Sequence, residues 1–500
     1  MTHEIVVVGG GIGGLTVSAL LAARGLDVCL LERQSRPGGC VAGFEKFGYT
    51  FDPGVGLYPL WQAGEIHDQV FSELPVAAPE VFAADPAYLV RLPDQSEVPI
   101  TANTEQFEAS LVATFPECAD SAVAFYQESA VVSEALRSAL RRVPNLHAAS
   151  SMRQIYALLP DIANAGRIIK ARNHTTLDHL EGTSFRFRRF IDAQLQLLAQ
   201  ATSQECEYLY ASLALNIPRR GNFSIRGGAP ALAEKLADSI KASGGRIRFD
   251  TPALRLAYDA TGQAIGVDLL SGERVSASRA IVSNLTLWDT YGKLIGLNDT
   301  PSEIRKSLKN LRTWGVYLLY LGMSEAAASR IPNNHILAVT DWQQSVDYDP
   351  EVSQFMFAAA PAGDRRAPEG KRAVTMLTFS DVDQWFTFQE NEEQNEEKDQ
   401  SVLEVWWRRL HEALPELGGD IEVIDTVTPR TVYNLTRRKL GMVGGLAKMR
   451  EPPDTDLLNY QTSLPNLFRV GDTASLGGSI AAVTHAAKLL ADRLSAVTPR

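Results

Sequence analysis

Near the N terminus, three glycines have the spacing of a turn that binds an anion. Gly9, Gly11 and Gly14 form a GxGxxG pattern directly after an apolar run at residues 5–8. In such a turn the first glycine permits the tight bend, the second lets a pyrophosphate approach the backbone, and the third allows close packing of the following helix. The N terminus of that helix offers free N–H groups and a partial positive charge. The predicted pyrophosphate contacts are Gly9, Gly11, Ile12, Gly13 and Gly14.

An acidic residue follows where a dinucleotide-binding unit needs one. Glu32 lies about twenty residues beyond the turn, at the end of the apolar run 28–31. A carboxylate there accepts hydrogen bonds from the ribose hydroxyls of an adenosine and disfavours a 2′-phosphate. The neighbouring Arg33 is a further predicted contact. These motifs predict a dinucleotide cofactor without separating FAD from NAD.

A strand, a helix and a second strand must position these residues. The sequence predicts a buried parallel strand at 5–8, a helix at 13–24 and a strand at 28–31. Together they form one βαβ unit.

Two later stretches have the same character as this first unit. Residues 230–283 predict a helix followed by short strands separated by glycine turns, which suggests a meander beside the βαβ unit. Residues 467–470 predict another strand, followed by Gly471-Asp472 and a helix at 478–494. We therefore expect a cofactor domain assembled from separate parts of the chain.

The rest of the sequence predicts a substrate-binding part. Residues 79–219 carry helical patterns, for example at 107–114 and 190–210, with few turn signals. Residues 301–429 mix strand-like runs with an acidic stretch at 390–399, which we interpret as a solvated loop and helix start. The expected boundaries are 1–78, 220–290 and 440–500 for the cofactor domain, and 79–219 and 291–439 for the substrate-binding lobes.

The charge and the cysteine content of the chain argue against several classes of partner and site. A net charge of -11 over 500 residues argues against a nucleic-acid partner, which would require clustered cations. The four cysteines show neither metal-ligand nor disulfide spacing, so we expect no metal and a reducing, cytoplasmic compartment. No signal peptide is recognisable. Arg186, Arg188 and Arg189 could meet an anionic membrane, although a solvated helix face is the simpler interpretation.

The segment after Glu32 carries a family resemblance. Arg36-Pro37-Gly38-Gly39, followed by the stretch GYTFDPG at residues 48–54, resembles the signature of flavoproteins related to phytoene desaturases and amine oxidases. The resemblance implies an extended FAD as the cofactor and contacts from Arg36, Gly38 and Gly39. The implied fold class is α/β, with a discontinuous Rossmann-like FAD-binding domain and a mixed-sheet and helical substrate domain.

The C-terminal motif resembles the second cofactor element of the same family. The resemblance implies that Gly471 and Asp472 meet the ribityl chain, and that Ser479 and Ile480 open a helix towards the flavin. It also places the backbone of Ala253 at the adenine. The turn at residues 474–478 departs from the family pattern, which often has a Pro-Gly pair there.

Within that superfamily, the chain most resembles carotenoid cis-trans isomerases and the bacterial desaturases and saturases near them. The resemblance implies a small apolar substrate, a conjugated polyene, and peripheral membrane contact. We identify no catalytic side chain, because the flavin would be the reagent and the protein would supply position and electrostatics. His485 and several tryptophans could serve the site, but lone histidines and aromatic residues more often have structural roles. Two alternatives remain open: a flavin amine oxidase, with a lysine bonded through water to the flavin, and a flavin-binding protein without turnover. The oligomeric state is not predicted.

Overall fold

The strands in the described part of the chain form two large sheets and two short pairs. The computed structural model describes residues 1–142, 162–172, 174–311, 313–342, 348–387, 391–447, 460–462, 464–475 and 477–496. Its strands are β1 (Thr2–Val8), β2 (Val28–Leu31), β3 (Phe44–Lys46), β4 (Tyr49–Phe51), β5 (Val81–Ala84), β6 (Tyr88–Arg91), β7 (Glu97–Ile100), β8 (Asn222–Ile225), β9 (Arg246–Arg248), β10 (Ala253–Tyr258), β11 (Ala264–Leu269), β12 (Arg274–Ser283), β13 (Gly315–Ser324), β14 (His335–Val339), β15 (Gln354–Ala359), β16 (Lys371–Ser380), β17 (Ile421–Val427) and β18 (Leu467–Arg469).

The longer helices are α1 (Ile12–Ala23), α2 (Ile66–Glu73), α3 (Thr104–Thr114), α4 (Ala119–Arg142), α5 (Ile162–Ala171), α6 (Phe185–Ala199), α7 (Tyr208–Asn216), α8 (Gly228–Ala242), α9 (Ser302–Asn310), α10 (Glu392–Ala413), α11 (Pro429–Thr436) and α12 (Ile480–Ala496). Short helical turns lie at Leu287–Asp289, Glu325–Ala328 and Pro350–Ser353, and a π-helical segment spans Thr290–Gly296.

The first sheet joins the N-terminal βαβ unit with the two later stretches of similar predicted structure. Strands β12, β1, β2 and β9 run parallel in that order, and β18 pairs in parallel with the end of β12. Strands β10, β11 and β12 form the expected antiparallel meander. Residues Ile5, Val6, Val7 and Val8 of β1 are 0–3% exposed, as expected for a parallel strand that is covered on both faces. Helix α1 packs between α8 and α12 on one face of this sheet.

The second sheet has the order β17-β13-β16-β15-β14-β6-β7 and is antiparallel except where β6 meets β14. Helix α10 packs on one face of it, around Trp385, Trp406 and Leu410. An aromatic core formed largely by α3, α4, α6 and α7 lies against the β6 end of the sheet. Tryptophan indoles that could have lined a substrate channel instead pack in cores, since Trp288 donates to the Leu308 carbonyl and Trp385 donates to Ser380.

The α/β fold class with a discontinuous Rossmann-like cofactor sheet is confirmed. The prediction of a wholly helical stretch at 79–219 is wrong at its start, where β5, β6 and β7 lie. Strands β6 and β7 turn through Gln95, whose φ is +64°, and so reach the second sheet. The helical pattern at 190–210 is also interrupted, because Gln200 adopts a left-handed conformation with φ of +56° after α6 ends.

The acidic stretch at 390–399 mostly forms the start of α10, and residues 388–390 lie outside the described part of the chain. The expected domain boundaries stay a prediction. No helix within the described ranges combines the length and the apolar character needed to cross a membrane.

Candidate cofactor site

The glycine turn brings strand β1 and helix α1 closer together than any side chain would permit. Gly9 has a φ of +102°, in the left-handed region that favours glycine. A Cβ on Gly14 would lie 2.1 Å from the carbonyl oxygen of Gly9. These two positions therefore require glycine for the physical reasons that the spacing predicted.

Helix α1 begins directly after the glycine turn, at Ile12. No side chain caps its N terminus at Gly11, and its first turn contains no acidic residue. The first N–H groups of a helix have no partner within the helix and attract negative charge. Gly11 itself pairs as a β-bridge with Gly38. The turn thus fits a phosphate group, because N–H groups without a partner in the helix lie beside glycines, which carry no side chain.

A second glycine turn stacks on the first. The Gly38 N–H donates to the Gly10 carbonyl at 2.8 Å. A Cβ on Gly39 would lie 3.2 Å from the Cα of Gly11. The two glycine motifs of the sequence therefore form one continuous backbone surface.

Glu32 is buried at the end of β2. One carboxylate oxygen accepts from the Gly10 N–H at 2.6 Å and the other accepts from the Gln34 N–H at 2.7 Å. A carboxylate has further lone pairs, so these bonds leave room for a ribose hydroxyl. The chain wraps around this end of the strand, because Thr251 donates its N–H to the Glu32 carbonyl at 2.8 Å. Ala253 begins β10 two residues later, near the place expected for an adenine.

Asn284 is a site residue that the motif analysis did not select. Its Nδ2 donates to the Gly9 carbonyl at 3.2 Å. A Cβ on Gly11, Gly13 or Gly471 would lie 2.7–3.0 Å from one of its side-chain polar atoms. Its position directly after β12 was the available signal, because ligands of parallel sheets bind at the carboxyl ends of the strands.

The C-terminal element closes the site. The Val470 N–H donates to the Ser283 carbonyl at 2.9 Å, and Gly471 has a φ of +115°. The Asp472 carboxylate forms an ion pair with Arg438, with 2.7 Å between Nη2 and Oδ2. Helix α12 begins at Ile480, and the Ser479 hydroxyl accepts from the Ala482 N–H at 3.2 Å. The predicted helix start is therefore confirmed to within two residues.

The two predicted arginines lie at the margin of the site. Arg33 is exposed and donates to the carbonyl oxygen of Leu435, at the end of α11. Arg36 is also exposed. The structure thus brings the glycines, Glu32 and Asp472 together but leaves both guanidinium groups outside this cluster.

A buried polar cluster lies beyond the glycine surface. Asp52, after β4, accepts from the Tyr58 hydroxyl and from the Ala229 N–H, the latter at 3.1 Å. It shares a cavity of about 20 Å³ with His335 and Arg366, enough for one water molecule. Burial, together with Arg366, lowers the pKa of His335 to about 4. The imidazole is therefore neutral near pH 7.

A family model described as flavin containing amine oxidoreductase matches residues 12–495 of the chain. The chain belongs to this family. Its cofactor is FAD, as the motifs indicated.

Two curated relatives match nearly the whole chain. Prolycopene isomerase, chloroplastic, of Arabidopsis thaliana is 25% identical over 511 residues, covering 99% of this chain and 83% of the relative. The zeta-carotene-forming phytoene desaturase of Myxococcus xanthus is 26% identical over 521 residues, covering 98% and 94%. The resemblance inferred from the motifs is thus confirmed.

A solved structure supports the fold. An oxidoreductase from Methanosarcina mazei matches with a TM-score of 0.63 and 16% identity, covering 98% of this chain and 100% of that one. At this identity the likeness concerns the fold alone.

In this flavoprotein the described residues fit an extended dinucleotide. The uncapped start of α1 and the side-chain-free surface of Gly11 and Gly39 would receive the pyrophosphate. Glu32 would meet the adenosine ribose and Asp472 the ribityl chain. The contacts of the individual residues with FAD stay a prediction.

The basic residues of α6 do not form an open patch. Arg186 pairs with Asp94 and, at 3.4 Å, with Glu117. Arg189 is 8% exposed and lies 3.3 Å from Asp192. The interpretation of these residues as a solvated helix face is therefore wrong for Arg189, and intramolecular ion pairs occupy much of the cluster.

Proposed function

We propose that this flavoprotein acts on a conjugated polyene, either as a desaturase or as a cis-trans isomerase. The observation that carries the proposal is the end-to-end similarity to two relatives named for carotenoid chemistry, which covers 99% and 98% of the chain. The matched range includes the helical lobe and the second sheet as well as the cofactor elements. This extent supports a shared type of substrate in addition to a shared cofactor.

The chemistry of a polyene agrees with the character of the lobe next to the site. A hydrocarbon offers no polar group, so its enzyme must hold it by shape and apolar contact. The loop after β4 leads from the cofactor elements into the helical lobe, and its Val55 and Leu57 pack against the aromatic core of that lobe. This arrangement supports an apolar path towards the flavin.

When bound, FAD supplies hydride uptake for desaturation or, in its reduced form, electron density for isomerisation. The chain itself contributes placement, exclusion of water and a few buried polar groups. One of these groups is the neutral imidazole of His335, whose Nε2 packs against Gly56 of the loop after β4. Its Nδ1 has no hydrogen-bond partner among the described residues, so it can form a hydrogen bond with a water molecule in the adjoining cavity.

The flavin amine oxidase alternative lacks support in the described part of the chain. That reading usually includes a lysine that is hydrogen-bonded through water to the flavin. No lysine in the described ranges is buried. We therefore favour the polyene substrate, with amine oxidation as an outcome of the test.

The test is product analysis under anaerobic conditions. The holoprotein is incubated with phytoene, zeta-carotene or prolycopene, first with oxidised and then with chemically reduced FAD, and the polyenes are separated by chromatography. Longer conjugation with oxidised FAD would identify a desaturase, whereas geometric isomers formed only with reduced FAD would identify an isomerase. Oxidation of amines without any change in the polyenes would refute the proposal. Bound flavin without turnover of either class would favour a flavin-binding protein.

We further propose that the protein is cytoplasmic and contacts membranes peripherally, because polyenes partition into bilayers. Phe47, at the tip of the β3–β4 hairpin, is 75% exposed and is a candidate contact. Co-flotation with anionic liposomes that is lost in Phe47→Ser would support this, and protein that stays in the soluble fraction would refute it.

A further inference from the structure

Arg438 reaches the cofactor site from a part of the chain that the motifs did not connect with it. Helix α11 ends at Thr436, and Arg437 then takes a left-handed conformation with φ of +58°. The turn that follows directs Arg438 towards Asp472. Its side chain is only 15% exposed although it is fully charged.

The guanidinium of Arg438 is held by several partners. Its Nε donates to the Met442 carbonyl at 2.6 Å, and its two terminal nitrogens lie 3.3 and 2.7 Å from the two oxygens of Asp472. Burial acts to lower the pKa of Arg438, but Asp472 and Cys40 raise it overall. Because an arginine carries five N–H donors, this fork leaves donors for a further anion.

Hydrogen bonds hold the same turn against the residues that follow β2. The Gln34 side chain donates to the Leu435 carbonyl at 2.6 Å, and Arg33 donates to the same oxygen. On its other side, Lys293 donates to the Arg437 carbonyl at 3.0 Å. These bonds fix the turn over the end of β2.

Arg438 also lies next to the glycine surface. The guanidinium interacts with the Cys40 thiol, and Cys40 directly follows Gly39. A Cβ on Gly39 would lie 3.2 Å from the Cα of Gly11, in the predicted pyrophosphate turn. The guanidinium therefore stands between the N-terminal and the C-terminal cofactor elements.

Charge balance favours a cation at this place. The pyrophosphate of FAD is doubly negative, and the predicted contacts of the adenosine ribose and of the ribityl chain, Glu32 and Asp472, are both carboxylates. The partial charge of one helix N terminus, about half an elementary charge, does not offset this. Arg33 and Arg36 are exposed, so water screens their charge. The mostly buried guanidinium of Arg438 is placed to supply the compensation.

We propose that Arg438 is an FAD-binding residue that provides the positive charge for the pyrophosphate while it orients Asp472 for the ribityl chain. The proposal rests on FAD as the cofactor. It assigns to the turn after α11 a direct part in cofactor binding.

The experiment compares the affinities of the apoprotein variants for FAD and ADP. Dissociation constants are measured by titration calorimetry for FAD and by competition for ADP, which retains the pyrophosphate but lacks the ribityl chain and the flavin. Arg438→Gln should weaken both ligands by about tenfold or more, because a charge-assisted bond to phosphate is lost. Arg372→Gln is the matched control, since Arg372 is 13% exposed and also pairs with a carboxylate, that of Glu325 at 2.7 Å, but in the second sheet. It should change neither constant by more than about threefold.

Two further variants keep the test decisive if Arg438→Gln fails to fold around an unpaired Asp472. Arg438→Gln with Asp472→Asn removes both charges and should still bind ADP about tenfold more weakly than the wild type. Arg438→Lys keeps the charge without the fork and should fall between the wild type and Arg438→Gln.

Wild-type affinity for ADP in both Arg438→Gln and the double variant would overturn the proposal, as would a larger loss in Arg372→Gln. Loss of FAD binding with unchanged ADP binding would also overturn the pyrophosphate contact, because Arg438 would then act through Asp472 alone. A wild-type protein that binds no FAD would instead refute the cofactor assignment, so the two failures can be distinguished.

Discussion

Replacing Glu32 with glutamine isolates the acidic residue that links the glycine turn to the cofactor. The side chain is 7% exposed. Its two oxygens accept from the backbone N–H groups of Gly10 and Gln34 at 2.6 and 2.7 Å. A glutamine has almost the same shape but only one acceptor oxygen, and its NH₂ group would face one of these donors.

The size of the expected effects on stability and on FAD binding follows from this lost acceptor. One buried backbone N–H loses its acceptor, which costs about 1–3 kcal/mol of folding free energy. The ribose hydroxyls of FAD also lose a charged acceptor, so we expect the dissociation constant for FAD to rise by about tenfold, equivalent to about 1.4 kcal/mol.

The assay is FAD titration of the apoprotein by calorimetry, with thermal unfolding of the apoprotein measured in parallel. Glu4→Gln is the matched control, because Glu4 also accepts from a backbone N–H, that of Asp27 at 2.9 Å, but in an exposed position. The Glu4 variant should bind FAD like the wild type. Unchanged FAD affinity and unfolding temperature in Glu32→Gln would refute the reasoning.

Three further results are expected. Gly14→Ala places a Cβ 2.1 Å from a backbone oxygen, so it should lower the unfolding temperature and abolish FAD retention, whereas Gly419→Ala, with nothing within 4 Å, should do neither. Asn284→Ala should weaken FAD binding measured by flavin fluorescence, because it removes the polar atoms on which three glycines converge; unchanged binding would contradict this role. Burial lowers the pKa of His335 to about 4 and that of His67 to about 3. At moderately acidic pH these two imidazoles therefore bind protons in the unfolded chain but not in the folded protein. Stability should therefore be complete above pH 6.5 and fall below it, by up to about 1.4 kcal/mol per pH unit for each histidine. Denaturation midpoints between pH 7.5 and pH 5 check this, and an unchanged slope in His335→Gln would contradict it.

The parts of the fold that could be predicted from the sequence are those encoded locally. The β1 run, the glycine turn and Glu32 lie close together in the chain, and each has a conformational or chemical reason to be where it is. The same holds for Gly471, whose left-handed φ the C-terminal motif requires. The FAD assignment came from the family resemblance of another local segment, residues 36–39 and 48–54.

The strands and site residues that the sequence analysis missed are placed by contacts between distant parts of the chain. Strands β6 and β7 are four residues each. The place of β6 is set by pairing with β14, about 245 positions later in the chain, and β7 in turn pairs with β6. Asn284 and Arg438 reach the site from sequence positions far from the glycine turn. No local spacing could connect them with it.

The most direct test of the account is the visible spectrum of the holoprotein during anaerobic mixing with a carotenoid polyene. We predict flavin absorbance in the purified or FAD-reconstituted protein. We also predict either bleaching of that absorbance with a red shift of the polyene, or a change in the polyene spectrum only after the flavin has been reduced. Protein that acquires no flavin absorbance would contradict the cofactor assignment, and a flavin that responds to amines while every polyene stays unchanged would contradict the proposed substrate.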